Sequence, residues 1–182
     1  MDLGAFFMLL FGDKWFAQWL GVIAIILSFV GYQNKASKRV FFFQILTSFL
    51  WSVQLLLLGA YTGMVLNVLG LIRSVFLYGN DTRWGQSRIS MWVMTAAMAV
   101  GGIVSWQGWV SILPTAAMVA GTPLLWTRRD KVVRAAQVGF ISPLWLIHNY
   151  IMQSVPGVLT ELLTMISAVI TMIRVHRDAE KE

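Results

Sequence analysis

Seven runs of roughly 17 to 22 apolar residues take up almost the whole of this 182-residue chain, and a run of that length has one natural home. They fall at about 15–32, 40–59, 61–79, 89–105, 109–126, 134–152 and 156–174. Wound into helices at about 1.5 Å per residue, each covers the roughly 30 Å of hydrocarbon in a bilayer. With 58% hydrophobic and only 12% charged residues, the chain cannot cover itself with a water-facing surface. The sequence therefore predicts an all-α integral membrane protein of seven transmembrane helices, each closing its backbone hydrogen bonds within itself.

A net charge of +6 in a soluble chain would raise the question of nucleic acid, but here its distribution answers a different one. Lys35, Lys38 and Arg39 follow the first run, Arg83 and Arg88 the third, and Arg128, Arg129, Lys131 and Arg134 the fifth. Arg174, Arg177 and Lys181 close the chain after the seventh. With seven spans all of these share one side, while the opposite side carries only Lys14, and its turns at 59–62, 107–108 and 154–156 are uncharged. By the positive-inside rule the N-terminus is external and the C-terminus cytoplasmic. No nucleic acid is expected as partner. Met1 to Gly12 carries Asp2, no basic residue and an apolar stretch of only about ten residues, so it reads as an interfacial segment and not as a signal peptide or a span. The chain has no cysteine, which removes disulfides and thiol catalysis. Neither a metal-ligand spacing nor a phosphate loop nor a nucleophile with its base is present, so no cofactor, metal or enzymatic activity is expected.

The chain nearly repeats itself 94 residues on. Ser48, Leu50, Trp51, Gly63, Leu69, Ile72 and Val75 recur without a gap as Ser142, Leu144, Trp145, Gly157, Leu163, Ile166 and Val169, and Asn67 is answered by Glu161. A three-helix unit enters and leaves the membrane on opposite sides, so two copies share an orientation only if an odd number of spans separates them. The fourth run supplies that span, giving two parallel three-helix bundles joined by a linker helix (3+1+3). The expected boundaries are 1–14 for the interfacial segment, 15–79 for the first bundle, 80–106 for the loop and linker, 107–174 for the second bundle and 175–182 for a charged tail.

Gly63, Asn67, Gly70 and Ser74 lie on one face of the third helix, and Gly157, Glu161, Thr164 and Ala168 on the matching face of the seventh. Small residues account for close helix packing; Asn67 and Glu161 need another reason. Glu161 is the one acidic residue in the middle of a run, where a carboxylate costs several kcal/mol unless it is protonated, paired or wetted. It reads as a pocket or proton-relay group, or else as half of a structural pair. His148, at similar depth across a short turn, is its expected partner; the alternative is a bond to a neighbouring helix. Trp15, Trp19, Trp84, Trp106, Trp109 and Trp126 lie at run ends, where interfacial indoles belong. Trp51 and Trp145 lie in mid-run, with Gln54 and His148 one turn further on, and the same turn argument sets Trp51 level with Asn67 and Trp145 with Glu161. Flat rings beside hydrogen-bonding groups suit a small ligand with apolar faces and polar edges; lipid-facing or core packing is the other reading. Arg73, about five residues from the end of its helix, either snorkels to the interface or serves as a gate or anion contact.

These residues, a Trp in the second helix with Asn sixteen positions later in two bundles of one orientation, resemble the SWEET, SemiSWEET and PQ-loop transporter superfamily. The chain overall, from about Trp15 to Arg174, resembles the small YgjV-like bacterial inner membrane proteins. The resemblance implies a multi-pass protein of the bacterial inner membrane with Trp51, Asn67, Trp145 and Glu161 around a central solute pocket, and Gln54, His148 and Arg73 as accessory groups. The chain departs from the superfamily in keeping only Gln33 of the Pro-Gln loop, with Trp126 and Thr127 in the second copy, and in confining its hinge-like prolines, Pro114, Pro123 and Pro143, to the second half. Glu161 stands where the superfamily has a second Asn. The expected function is alternating-access transport of a sugar-like or other small polar metabolite. Alternatives are a carrier of an amino acid, vitamin or nucleoside, proton-coupled or not, and a receptor or scaffold that binds without transporting.

Overall fold

The computed structural model describes residues 12–32, 37–78, 87–127 and 129–179. Seven helices follow the seven apolar runs: α1 Trp15–Tyr32, α2 Ser37–Leu57, α3 Tyr61–Tyr78, α4 Arg88–Val104, α5 Ile112–Trp126 after a short 3-10 turn Trp109–Ser111, α6 spanning 130–151, and α7 Val155–Ala179. The ends differ from the apolar runs in one consistent way. Helices α2, α6 and α7 extend past the hydrocarbon-length stretch into polar sequence, because Lys and Arg are good helix formers wherever water can solvate them. Two helical segments are long and apolar enough by themselves to cross a membrane, Trp109–Trp126 and Val155–Ile173; Trp15–Val30, Ile45–Leu57, Tyr61–Phe76 and Arg88–Val104 are shorter apolar stretches. The segment 1–11, Gln33, Lys35, Arg83, Trp84, Arg128 and Lys181 lie outside the described residues.

Helix α6 is not uniform. Its α-helical parts, Asp130–Ala136 and Ser142–Ile151, are joined by a π-helical stretch, Gln137–Ile141. Pro143 has no N–H to offer the carbonyl one turn back and its ring crowds that carbonyl, so the turn before it widens. The matching position in α2 is Phe49, and α2 stays α-helical throughout.

The surface is the reverse of a soluble protein's. Phe29, Phe42, Phe49, Trp92, Val104, Ile166 and Ile173 are all exposed, whereas buried polar side chains are as numerous as buried apolar ones among the described residues. That inversion suits an apolar solvent outside and hydrogen bonding within. Many inward hydroxyls answer their own helix: Ser52 donates to Ser48 O (2.8 Å), Thr95 to Met91 O (2.8 Å) and Thr122 to Met118 O (2.7 Å). Trp15, Trp19, Trp106 and Trp109 are exposed near helix ends, as expected of interfacial indoles. Trp126 corrects the expectation for its class: it is buried, with Nε1 unpartnered.

The helices pack in the order α1, α2, α3, α5, α6, α7 and back to α1, while α4 lies against α3 and α5. Two sets of contacts recur 94 residues on, α1–α2 as α5–α6 and α2–α3 as α6–α7, and α3–α5 answers α7–α1 when the matching helices are exchanged. At atomic scale the correspondence is closest in the two helix-linking turns. Leu58 N bonds Gln54 O, Gly59 N bonds Leu56 O, Ala60 N bonds Leu55 O and Met64 N bonds Ala60 O; Met152, Gln153, Ser154 and Val158 repeat the set on His148, Tyr150, Asn149 and Ser154. Both are Schellman turns, with the left-handed residue Gly59 (φ 77°) in one and Gln153 (φ 59°) in the other.

Each turn is also held by a glutamine reaching in from elsewhere. Gln107 donates to Gly59 O (2.9 Å) and accepts from Thr62 N (3.3 Å). Gln18 donates to Gln153 O (2.6 Å) and accepts from Val155 N (3.1 Å). Thr62 bonds Ser111 and the carbonyl of Ser105 as well, and Lys14 donates to Gln153 Oε1 (3.2 Å). These bonds gather the start of α1 and the α2–α3, α4–α5 and α6–α7 turns at one end of the molecule.

Candidate functional site

The polar residues predicted from the repeat occupy two equivalent corners. In the first, Asn67 of α3 reaches the carbonyl of Ser48 in α2 through Nδ2 at a long 3.5 Å, one turn before Trp51. In the second, the hydroxyl of Ser142 in α6 lies beside the Glu161 carboxylate of α7, one turn before Trp145. Asn67 to Glu161 and Ser48 to Ser142 are both steps of 94 residues, so the same two helix positions meet in α2–α3 and in α6–α7. Ser142 Oγ accepts from Gln137 Nε2 at 2.8 Å, which leaves its own hydrogen to point at the carboxylate. Gln137 opens the π-helical stretch, so the Gln137–Ser142 bond spans the widened turn before Pro143. The second carboxylate oxygen, Oε2, is buried with no partner.

One turn nearer the end that carries the Schellman turns, a second layer joins α2 to the start of α7 and α6 to α3. Gln54 of α2 donates to Ser154 Oγ at 2.8 Å, just before α7. Its counterpart His148 of α6 lies against α3 at Gly63, where a Cβ would come within 2.8 Å of His148 Cε1. A bare backbone at Gly63 is what admits the imidazole. Gln54 Oε1 and His148 Nδ1 are buried and unpartnered.

The tryptophans differ. Trp145 packs beside the cluster of Leu66, Met98 and Met118 and meets His148 edge-on, with ring centroids 5.4 Å apart and planes at 84°. Trp51 is half-buried. Among the described residues, no hydrogen bond or ring contact joins Trp51 to Trp145 or Asn67 to Glu161 directly.

Two expectations are corrected. His148 is not the partner of Glu161: it interacts with Trp145, the Asn149 side chain and the backbone at Gly63, and Ser142 stands beside the carboxylate instead. At about 100° per residue, the six-residue step from Ser142 to His148 turns the histidine roughly 120° around α6, away from the face that meets Glu161. Arg73 does not snorkel: its Nη1 donates to Thr122 Oγ1 on α5 at 3.0 Å, across the helix interface. The residues missed by the sequence reading are Ser142 and Gln137 beside Glu161, Ser154 beside Gln54, Thr122 beside Arg73, and the bracketing Gln18 and Gln107. Ser48 and Ser142 stood in the repeat register as matching residues without a role. Their recurrence at the 94-residue step is the signal that could have singled them out.

Comparison with curated proteins and with solved structures finds no match. One family model, Imp-YgjV, described as bacterial inner membrane protein, matches residues 15–179, from the first residue of α1 to the last of α7. The apolar exterior, the polar seam and the match over nearly the whole chain agree, and the chain belongs to this family of bacterial inner membrane proteins.

Proposed function

We propose that this protein is a small-solute transporter working by alternating access, with seven spans, an external N-terminus and a cytoplasmic C-terminus. Helices α1–α3 and α5–α7 are its two parallel halves and α4 the linker. The observation that carries the reading is the paired seam: Asn67 with Glu161, Gln54 with His148, and the two Schellman turns all recur at the 94-residue step. Two equivalent halves meeting on a polar seam have a means of rocking about a shared site. The resemblance to SWEET and PQ-loop transporters supports the same architecture.

The solute meets Trp51 and Trp145 with its apolar faces and Asn67 and Glu161 with its polar edges. In this reading the end that carries the Schellman turns is the external one by the charge argument, and the hydrogen bonds concentrated there would have to open for a solute to enter from outside. The reading assigns no catalysis, cofactor or nucleic acid to the chain. Its partners are the solute and the bilayer.

A neutral sugar-like solute is the superfamily pattern, but Glu161 and its unpartnered Oε2 favour a second version, a solute with a cationic group such as an amino acid, or a proton in its place. Uptake by the purified protein in liposomes across pH 5 to 8, with sugars, amino acids, vitamins and nucleosides as candidates, separates these. Glu161→Gln is expected to remove pH dependence while leaving downhill flux if the carboxyl carries a coupled proton, and to weaken binding with little change of pH profile if it anchors a cation. Absence of uptake for every solute class would return the chain to a receptor or scaffold.

A further inference from the structure

Arg73 is a charged group within a helix that the paired seam leaves unexplained. It lies on α3 toward the end opposite the Schellman turns, and its guanidinium points across the interface to α5. Among the described residues the single hydrogen bond it makes, from Nη1 to Thr122 Oγ1, is to a neutral group. Thr122 is fully buried and gives its own hydrogen to Met118 O, so its oxygen is fixed as an acceptor and holds the guanidinium in one orientation. Nε is buried without a partner, and no described carboxylate pairs with the group. Under the 94-residue step Arg73 and Thr122 become Ser167 and Ser28, so the cation has no counterpart in the other half.

A guanidinium offers two forked edges to an oxyanion, and the bond to Thr122 uses Nη1. The Nε and Nη2 edge, which presents two parallel N–H groups to a carboxylate or phosphate, makes no hydrogen bond within the described protein. A cation in the low-dielectric part of a membrane protein costs several kcal/mol unless something answers it, and one neutral hydroxyl is a weak answer. Gly70, one turn before Arg73 on α3, makes room for Met118, whose Cε lies 2.7 Å from where a Cβ would stand, and leaves that position 4.0 Å from Nη2.

We propose that Arg73, oriented by Thr122, is an oxyanion-binding site at the α3–α5 interface, taking a carboxylate or phosphate group through Nε and Nη2. The oxyanion comes either from a free anion, the transported solute's own group included, or from a lipid headgroup. The site itself does not rest on the transport reading.

The test uses the full chain purified in a maltoside detergent, which has no anionic group. Inorganic phosphate and acetate are added at constant ionic strength against chloride, and phosphatidylglycerol in a separate arm, with thermal unfolding as the readout. Saturating oxyanion is expected to raise the unfolding temperature of the natural protein by about 5 to 10 °C. Arg73→Gln should abolish the rise, Arg73→Lys should weaken apparent affinity about tenfold by losing the fork, and Thr122→Val should weaken it while keeping the charge. A response to phosphate or acetate assigns a free anion, and a response to phosphatidylglycerol alone assigns a headgroup; both support the site. Equal responses to chloride and phosphate with none to phosphatidylglycerol, or responses that Arg73→Lys and Thr122→Val leave unchanged, would overturn it. Since Arg73→Lys keeps the cation, the test holds even if Arg73→Gln fails to fold. Solute uptake without oxyanion binding would count against this site alone, and oxyanion binding without uptake against transport alone.

Discussion

At the scale of single residues, the seam depends on what is missing as much as on what is present. His148 has its place because Gly63 has no side chain, and a methyl group there would press on a fully buried imidazole that has no room to retreat. Gly63→Ala is therefore expected to destabilise the protein by about 1 to 3 kcal/mol, the usual cost of overpacking, read as a lower unfolding temperature in detergent. In a Gly63→Ala, His148→Ala double variant the second change should cost much less than His148→Ala alone, because the clash and the ring disappear together. Glu161, His148 and Arg73 stood out in the sequence because charge or an imidazole is costly in hydrocarbon. Their partners did not, because a serine or threonine can satisfy itself on its own helix and is cheap there, so its presence announces nothing. Which face each helix turns inward decided the pairing, and a 120° turn along α6 was enough to take His148 from Glu161.

At the scale of elements, the seven helices were legible because hydrocarbon thickness imposes a length, and their order along the chain followed. The π-helical stretch was not, since Pro143 can kink, stop or widen a helix according to what lies beside it. The repeat in the turns was partly hidden as well: Gly59 and Gln153 share no chemistry, yet both adopt the left-handed conformation and close the same hydrogen bonds. For Gly59 that conformation is free, while for Gln153 it costs of order 1 kcal/mol. Gly59→Ala is thus expected to lose about 1 kcal/mol of stability and Gln153→Gly to gain a similar amount, less what its contact with Lys14 contributes. Thermal unfolding of the two variants measures both signs at once. A loss in both would mean that the Gln153 side chain, and not the backbone, governs the second turn.

At the scale of the whole molecule, the side-chain hydrogen bonds between α1–α3 and the part of the chain after α4 are concentrated at one end. Gln18 and Gln54 tie α1 and α2 to the α6–α7 turn, Gln107 ties the α4–α5 turn to the α2–α3 turn, and at the opposite end Arg73 with Thr122 ties α3 to α5. If the halves rock during transport, the glutamine end must open while the other closes, and bonds of about 1 kcal/mol net each are weak enough to be exchanged for water in every cycle. A covalent link at that end would not be. Because the chain contains no cysteine, a Gln54→Cys, Ser154→Cys pair can form only that one disulfide within a molecule, across the 2.8 Å contact that now joins α2 to the start of α7. Oxidised protein in liposomes is expected to lose solute uptake and to recover it on reduction, while each single-cysteine variant transports in both conditions. Binding should survive oxidation, since the solute can still enter from the end that stays open. Full uptake by completely cross-linked protein would separate the seam from the transport cycle and leave the paired glutamines as staples of a static fold.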